Sequence, residues 1–73
     1  MEYKKIKINK KHMGQKIKEY IDKSNYTFEQ ISELLELKSP RVIYSWCNGD
    51  KLPTIENLYN LSIILQVNLI DLL

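Results

Sequence analysis

The feature that most constrains the fold of this chain is a short segment near its middle that has a helix start signal and a helix stop signal. Ser39 can cap a helix. Proline at position 40 suits the first position of a helix, because the backbone N–H that it lacks would have no hydrogen-bond partner there. Gly49 can adopt the left-handed conformation that ends a helix, and Pro53 follows shortly afterwards. The pattern predicts a short helix over residues 40–48.

Two helices are predicted before this segment. Apolar residues at helical spacing predict a first helix over residues 10–23, with Met13, Ile17, Tyr20 and Ile21 on one face. Thr27 and Gln30 have the spacing of a capping box and predict the start of a second helix. It should end near Glu36 or Leu37, because the residue before a proline avoids helical geometry, which leaves a turn of about three or four residues. Its apolar face should contain Phe28, Ile31, Leu34 and Leu35.

Two further helices are predicted after it. Thr54 is the start signal of a fourth helix, whose inward face should contain Ile55, Leu58, Tyr59, Leu61, Ser62 and Leu65. Asn68 and Asp71 repeat the cap spacing before a short last helix. Because no strand pattern alternates with these segments, the predicted fold class is all-α.

Length and composition exclude several classes of protein. With 73 residues the chain forms one domain, and it has no apolar run of the ~20 residues that a membrane span requires. One cysteine and one histidine cannot form an internal disulfide or a set of zinc ligands. There is also no glycine-rich phosphate loop and no catalytic cluster. We therefore expect a cytoplasmic protein that is not an enzyme, with no metal, no cofactor and no membrane partner.

The charges are divided unevenly along the chain. Residues 1–23 contain eight lysines and three acidic residues, a net charge of +5, whereas residues 24–73 contain three cationic and six acidic residues, a net charge of −3. Such asymmetry fits contact with nucleic acid, and it equally fits a lysine face that serves solubility. Residues 1–9 alternate apolar and polar side chains and are interpreted as an extended basic arm, ahead of a domain over residues 10–73.

The predicted third helix has two different faces. A helical wheel places Ile43, Trp46 and Cys47 on the inner side and Arg41, Tyr44, Ser45 and Asn48 on the outer side. Two short helices joined by a tight turn, the second with a polar outer face, describe a helix-turn-helix, whose second helix fits the major groove of DNA.

From about residue 13 to residue 73 the sequence resembles the helix-turn-helix regulators of the Cro and phage repressor type, often called the XRE family. The resemblance rests on "TFEQISELLEL", "SPRVIYSWCNG", the exit "GDKLPT" and the tail "ENLYNLSIILQVNLIDLL". It implies a compact five-helix, lambda-repressor-like domain that binds operator DNA, commonly as a homodimer, and represses transcription. The sequence departs from the family at Cys47, usually glutamate, at Ser32, usually alanine, and at Glu36, usually glycine, and its turn is one residue longer.

The resemblance and the wheel together suggest a set of DNA-binding residues. Arg41 can place its planar guanidinium on guanine O6 and N7, although a surface pair with Glu33 or Glu36 is the alternative. Tyr44 can reach a phosphate or a thymine methyl, or instead pack on the preceding helix. The resemblance assigns a phosphate clamp to the residues after the recognition helix, and the dipole of the second helix favours a phosphate at its start. The full predicted set is Thr27, Lys38, Ser39, Arg41, Val42, Tyr44, Ser45, Asn48 and Lys51.

Other special residues have plainer interpretations. Trp46 should be a core anchor, and Cys47 a small buried hydrophobe rather than a redox sensor. Lys10 and Lys11 are either flanking phosphate contacts or solvated charges, and His12 should be exposed.

A second function remains open from the sequence alone. The same fold can act as an antitoxin or another protein-interaction module, with a toxin or other protein as the partner, because three glutamates lie close to the turn and would repel phosphates. A dimer surface is predicted near the end of the chain, formed by Ile63, Ile64, Leu69 and Ile70.

Overall fold

The computed structural model describes residues 3–5 and 7–73, so Met1, Glu2 and Ile6 of the predicted arm lie outside the described residues. The elements are α1 (Lys10–Lys23), α2 (Phe28–Leu34), α3 (Arg41–Cys47), α4 (Ile55–Leu65) and a C-terminal 3-10 helix (Leu69–Leu72). All regular structure in this part of the chain is helical, which confirms the predicted class. The predicted count of five helices is corrected, because the last element is a single 3-10 turn rather than an α-helix.

The predicted helix starts are confirmed by hydrogen bonds. At α2, the Gln30 amide donates to Thr27 Oγ1 (3.1 Å) and the Thr27 amide donates to Gln30 Oε1 (2.9 Å), which completes the capping box. At α4, Thr54 Oγ1 accepts from the Asn57 amide at 3.1 Å. The start of α1 is capped by Asn9, whose Oδ1 accepts from two amides of the first turn.

The third helix lies where the sequence predicts it, one residue shorter at each end. It spans Arg41–Cys47, and Ser39 Oγ accepts from the Arg41 amide at 3.2 Å. At its end, the Gly49 amide donates to the Trp46 carbonyl (3.1 Å) and the Asp50 amide donates to the Ser45 carbonyl (3.0 Å). With φ of 78° at the glycine, this is a Schellman motif, as the stop signal predicted.

The end of α2 differs from the prediction. The helix ends at Leu34, and Glu36 adopts a left-handed φ of 57°. The Glu36 amide donates to the Glu33 carbonyl and the Leu37 amide to the Ser32 carbonyl, so this is a second Schellman motif, with glutamate in the glycine position. The chain therefore leaves the helix early, and six residues separate α2 from α3 instead of three or four.

The core lies between the helices and is apolar. Its buried members are Met13, Ile17, Ile21, Ile31, Ile43, Trp46, Leu58, Leu61 and Leu72. Trp46 is 3 % exposed, which confirms it as a core anchor. Three residues predicted to face inward do not: Leu34, Ile55 and Tyr59 are 55 %, 72 % and 56 % exposed. In α2 and α4 the core-facing stripe is therefore narrower than the apolar pattern of the sequence.

Both glycines of the chain lie where α1 crosses α3. A Cβ on Gly14 would lie 2.3 Å from the carbonyl oxygen of Trp46 and 2.6 Å from that of Cys47. A Cβ on Gly49 would lie 2.8 Å from Cγ of Lys11. Contacts this close require a residue without a side chain, so the crossing fixes how α3 is oriented.

No helix in the described part of the chain is both long and apolar enough to cross a membrane.

Candidate nucleic-acid interface

One face of α3 is polar and open to solvent. Arg41, Tyr44 and Asn48 are exposed, whereas Ile43 and Trp46 on the opposite face are buried. The division that the helical wheel predicts is confirmed for these residues. The outer face is therefore available to a ligand, and the inner face is held by the core.

Arg41 stands at the start of this face. Its backbone amide is bonded to Ser39, while its side chain extends into solvent. Within residues 3–5 and 7–73, a salt bridge joins Lys18 and Asp22, with the two charged atoms 3.0 Å apart. Arg41 makes no salt bridge there with the glutamates of α2. Its five guanidinium N–H donors can therefore meet an acceptor such as a base edge or a phosphate.

Tyr44 packs on the preceding helix, which is one of the two interpretations that the sequence offered, and it is also open to solvent. Its ring packs on Phe28 at the start of α2, with the ring centroids 4.6 Å apart and the planes tilted by 33°. It is nevertheless 48 % exposed. The contact with Phe28 fixes the direction of the tyrosine ring on the outer face. Sequence reasoning placed Phe28 only in the core, because the contact depends on how α2 and α3 are placed in space.

Val42 and Ser45 are less available than predicted. Val42 is half-buried and packs against the core. The Ser45 hydroxyl donates to the Val42 carbonyl at 2.6 Å, and the Ser45 carbonyl accepts from the Asp50 and Lys51 amides. Both residues lie at the edge of the outer face, and the serine hydroxyl retains only its acceptor capacity.

The exit of α3 lies beside the basic start of α1. Asn48 and Lys51 are exposed there, and the backbone of Lys11 is close to Gly49, since a Cβ on that glycine would lie 3.0 Å from Cα of Lys11. Lys10 is exposed on the same turn of α1. The structure thus brings the neighbouring Lys10 and Lys11 close to the exit of α3, which is distant from them in the sequence. The glycine within α1 could have signalled this approach, since a glycine inside a helix often marks close packing.

The remaining predicted residues lie around α2 and the turn. Thr27 is exposed and caps α2, Lys38 is exposed in the turn, and Ser39 is half-buried beneath the start of α3. The acidic residues of this side, Glu29, Glu33, Glu36 and Asp50, are all exposed.

Cys47 faces α1 rather than the outer face. It is half-buried, and burial raises the pKa of its thiol, with Lys18 lowering it and Asp22 raising it by smaller amounts. His12 is exposed, as predicted. In the part of the chain that the structure describes, no three side chains of the kinds that bind metals come together.

Two solved structures share this arrangement. The solution structure of LexA, an SOS-response transcriptional repressor from Eubacterium rectale, is similar with a TM-score of 0.79 and 26 % identity, over 88 % of this chain and 67 % of that chain. The crystal structure of the DNA-binding domain of BldD has a TM-score of 0.73 and 21 % identity, over 89 % and 93 % of the two chains, a likeness of fold. Among curated protein sequences none matches.

The family is given by the sequence match. A family profile described as helix-turn-helix matches residues 17–72, which include the second half of α1, α2, the turn, α3, α4 and the C-terminal 3-10 helix. Because this match covers most of the chain and the fold agrees with it, the protein belongs to the XRE-type helix-turn-helix family.

Proposed function

We propose that the protein is a sequence-specific regulator that binds double-stranded DNA with α3 in the major groove and acts as a repressor. The observation that carries the proposal is the exposed polar face of α3, at whose start the guanidinium of Arg41 makes no salt bridge with any residue that the structure describes. Membership of the helix-turn-helix family supports it, as does the likeness to a LexA repressor. A helix of this kind reads base edges with its first residues.

Each predicted residue has a role in this proposal. Arg41 reads a guanine, while Tyr44, Val42 and Ser45 contact neighbouring base edges or a phosphate. The residues that hold the DNA backbone are Thr27, Lys38, Ser39, Asn48 and Lys51. These backbone contacts fix the register of α3 and carry no sequence information themselves.

The proposal extends to the organisation of the chain. Residues 1–9 act as a basic arm on the flanking backbone and residues 10–73 as the DNA-binding domain. The protein works in the cytoplasm as a homodimer on an operator whose two half-sites lie about 34 Å apart, one turn of the double helix.

The test is fluorescence anisotropy with a duplex enriched from a random pool and a scrambled duplex, at low and at physiological salt. Binding should be stronger to the enriched duplex and should weaken steeply with salt, because each neutralised phosphate releases counterions. Weak and equal binding to both duplexes would overturn the proposal.

Arg41→Ala tests the reading of bases. We expect a loss of about 1 to 3 kcal/mol in binding free energy and a smaller difference between enriched and scrambled duplexes. Thermal unfolding should be unchanged, because the side chain makes no ion pair with the glutamates of α2. The matched control is Lys23→Ala, at the far end of α1. Unchanged affinity and preference would contradict the assignment of Arg41.

A second candidate is an antitoxin or another protein-interaction module. The observation in its favour is the row of exposed glutamates at positions 29, 33 and 36, beside the face that would approach DNA. Under this alternative, the protein binds neither duplex. It binds a protein partner instead, with an affinity that changes little with salt concentration.

A further inference from the structure

Phe28 and Tyr44 join the start of α2 to the outer face of α3. Their ring centroids are 4.6 Å apart, close to the shortest separation, about 4.5 Å, at which aromatic rings pack in proteins. Phe28 is half-buried and packs against the core, whereas Tyr44 is 48 % exposed. The phenylalanine is therefore the anchored member of the pair, and the tyrosine ring rests on it.

The backbone of Phe28 is fixed as well. Phe28 is the first residue of α2 and directly follows the N-cap Thr27. The two hydrogen bonds of the capping box, between Thr27 and Gln30, hold this first turn in place. Both the backbone and the ring of Phe28 are therefore in position before any ligand binds, and so is the tyrosine ring that rests on it.

This contact directs Tyr44 towards one side of the DNA-facing surface. When the second helix of a helix-turn-helix lies in the major groove, the first helix crosses the sugar-phosphate backbone. A ring that rests on the start of α2 therefore lies at the edge of the groove, beside the phosphates. The polar group that a tyrosine offers there is its hydroxyl, which can donate a hydrogen bond to a phosphate oxygen.

We propose that Phe28 is a positioning residue for DNA binding, which holds the hydroxyl of Tyr44 against a backbone phosphate rather than a base edge. This role rests on the proposed function and narrows it, because a phosphate is the same in every sequence and its contact carries no sequence information. Tyr44 then contributes affinity alone, and other residues of the outer face read the bases. Because the ring is already held, little side-chain freedom is lost on binding.

Removing the hydroxyl alone tests the phosphate contact. In anisotropy titrations with the enriched duplex and each of its single-base variants, Tyr44→Phe should weaken binding about tenfold, by the same factor on every duplex. The slope of log K against log salt should not change, because a neutral donor releases no counterion. The matched control is Tyr59→Phe on α4, where the tyrosine is 56 % exposed, and it should bind as the parent does.

A double-mutant cycle separates positioning from stability. Phe28→Leu keeps an apolar side chain against the core but removes the ring. It should weaken binding several-fold in the parent and hardly at all in the Tyr44→Phe background, because the hydroxyl that it misplaces is already absent there. Phe28→Tyr keeps the ring and should retain most of the affinity. Circular dichroism checks that each variant is folded. Equal losses in the two backgrounds would show that Phe28 acts through stability alone and would overturn its role.

The acidic neighbour of the pair tests where the start of α2 lies. Glu29 follows Phe28 and is exposed, and its carboxylate repels any phosphate at this edge. Glu29→Gln should therefore strengthen binding to every duplex by about twofold at low salt. An unchanged affinity would place the start of α2 away from the DNA backbone and contradict the phosphate contact.

Methylphosphonate substitution, which neutralises one phosphate at a time, identifies the contact. At a single phosphate in each half-site, the difference between the parent and Tyr44→Phe should largely disappear. If Tyr44→Phe binds as the parent does, or loses affinity for some duplexes more than for others, this inference fails while the proposed function stands. If the parent binds neither the enriched nor the scrambled duplex, both fail.

Discussion

Glu36 and Gln66 adopt a left-handed backbone conformation that is energetically unfavourable for every residue except glycine. Both have φ of 57°, and both end a helix through the same pair of hydrogen bonds that Gly49 makes at the end of α3. In this region the Cβ of an L residue crowds the following carbonyl, at a cost of about 1 kcal/mol. The chain bears this cost twice, once in the turn between α2 and α3 and once at the end of α4.

Glycine should therefore stabilise the protein at both positions. We expect Glu36→Gly and Gln66→Gly each to raise the free energy of unfolding by about 0.5 to 1 kcal/mol, measured by urea denaturation. Glu36→Gly should also strengthen DNA binding at low salt, because it removes a negative charge from the turn before α3, and Gln66→Gly should not. Unchanged or lower stability in both variants would show that the left-handed backbone is not strained.

The thiol of Cys47 should be unreactive in the folded protein. Burial raises its pKa, so the native state favours the protonated form. This contributes stability below the pKa of the unfolded thiol, and the contribution is lost as pH rises through the native pKa. Alkylation at neutral pH should be slow until urea unfolds the chain, and Cys47→Ala should reduce the loss of stability at alkaline pH. Rapid alkylation of the native protein would favour the redox interpretation instead.

At the scale of elements, the orientation of α3 depends on Gly14. The carbonyl groups of Trp46 and Cys47 occupy the space where a side chain would be, and backbone atoms cannot turn aside as a side chain can. Replacing glycine with alanine inside a helix ordinarily stabilises the folded protein by about 1 kcal/mol. Here we expect the opposite sign.

Gly14→Ala should lower the free energy of unfolding by about 2 to 3 kcal/mol, because the methyl group must push α1 away from α3. Urea denaturation measures this, with Gln15→Ala as the control at an exposed neighbouring position. A stabilised Gly14→Ala variant would show that the two helices separate at little cost.

The sequence predicts helix starts better than helix ends and exposure. Starts follow from local chemistry, since Thr27 and Thr54 bond amides within three residues. The end of α2 was predicted too late, because its left-handed residue is Glu36 and the usual signal is glycine. The exposure of Ile55 and Tyr59 could not be predicted, since an apolar period does not reveal how much space the other helices leave.

At the candidate site, too, features within one helix could be predicted from the sequence, whereas contacts between helices could not. The outward position of Arg41 follows from the helical wheel within one helix, and the structure confirms it. The packing of Tyr44 on Phe28 and the approach of Lys11 to Gly49 each join two elements. Neither follows from the spacing of residues in one segment, so only the tertiary structure reveals them.

At the scale of the whole molecule, folding places the basic start of α1 beside the exit of α3. Lys10 is therefore close to the proposed DNA backbone contacts, whereas Lys23 lies about 20 Å away at the other end of α1. That distance exceeds the Debye length of about 10 Å at 0.1 M salt. The two lysines form a matched pair for testing which surface faces DNA.

We expect Lys10→Gln to weaken binding to all duplexes alike and to reduce the slope of log K against log salt by up to about 0.9, the value for one phosphate contact. Lys23→Gln should leave the slope unchanged. Anisotropy titrations over a range of salt concentrations measure both variants. Equal slopes for the parent and Lys10→Gln would place the start of α1 away from the DNA backbone.

The contact at Gly14 has a consequence for how such a protein can change its target. What rests on this glycine is the main chain of α3, at Trp46 and Cys47, and not any of its outer side chains. The direction in which the helix points is therefore independent of the exposed side chains at positions 41 and 48. Under the proposed function, those two positions can be exchanged to address a new DNA sequence while the scaffold beneath them stays the same.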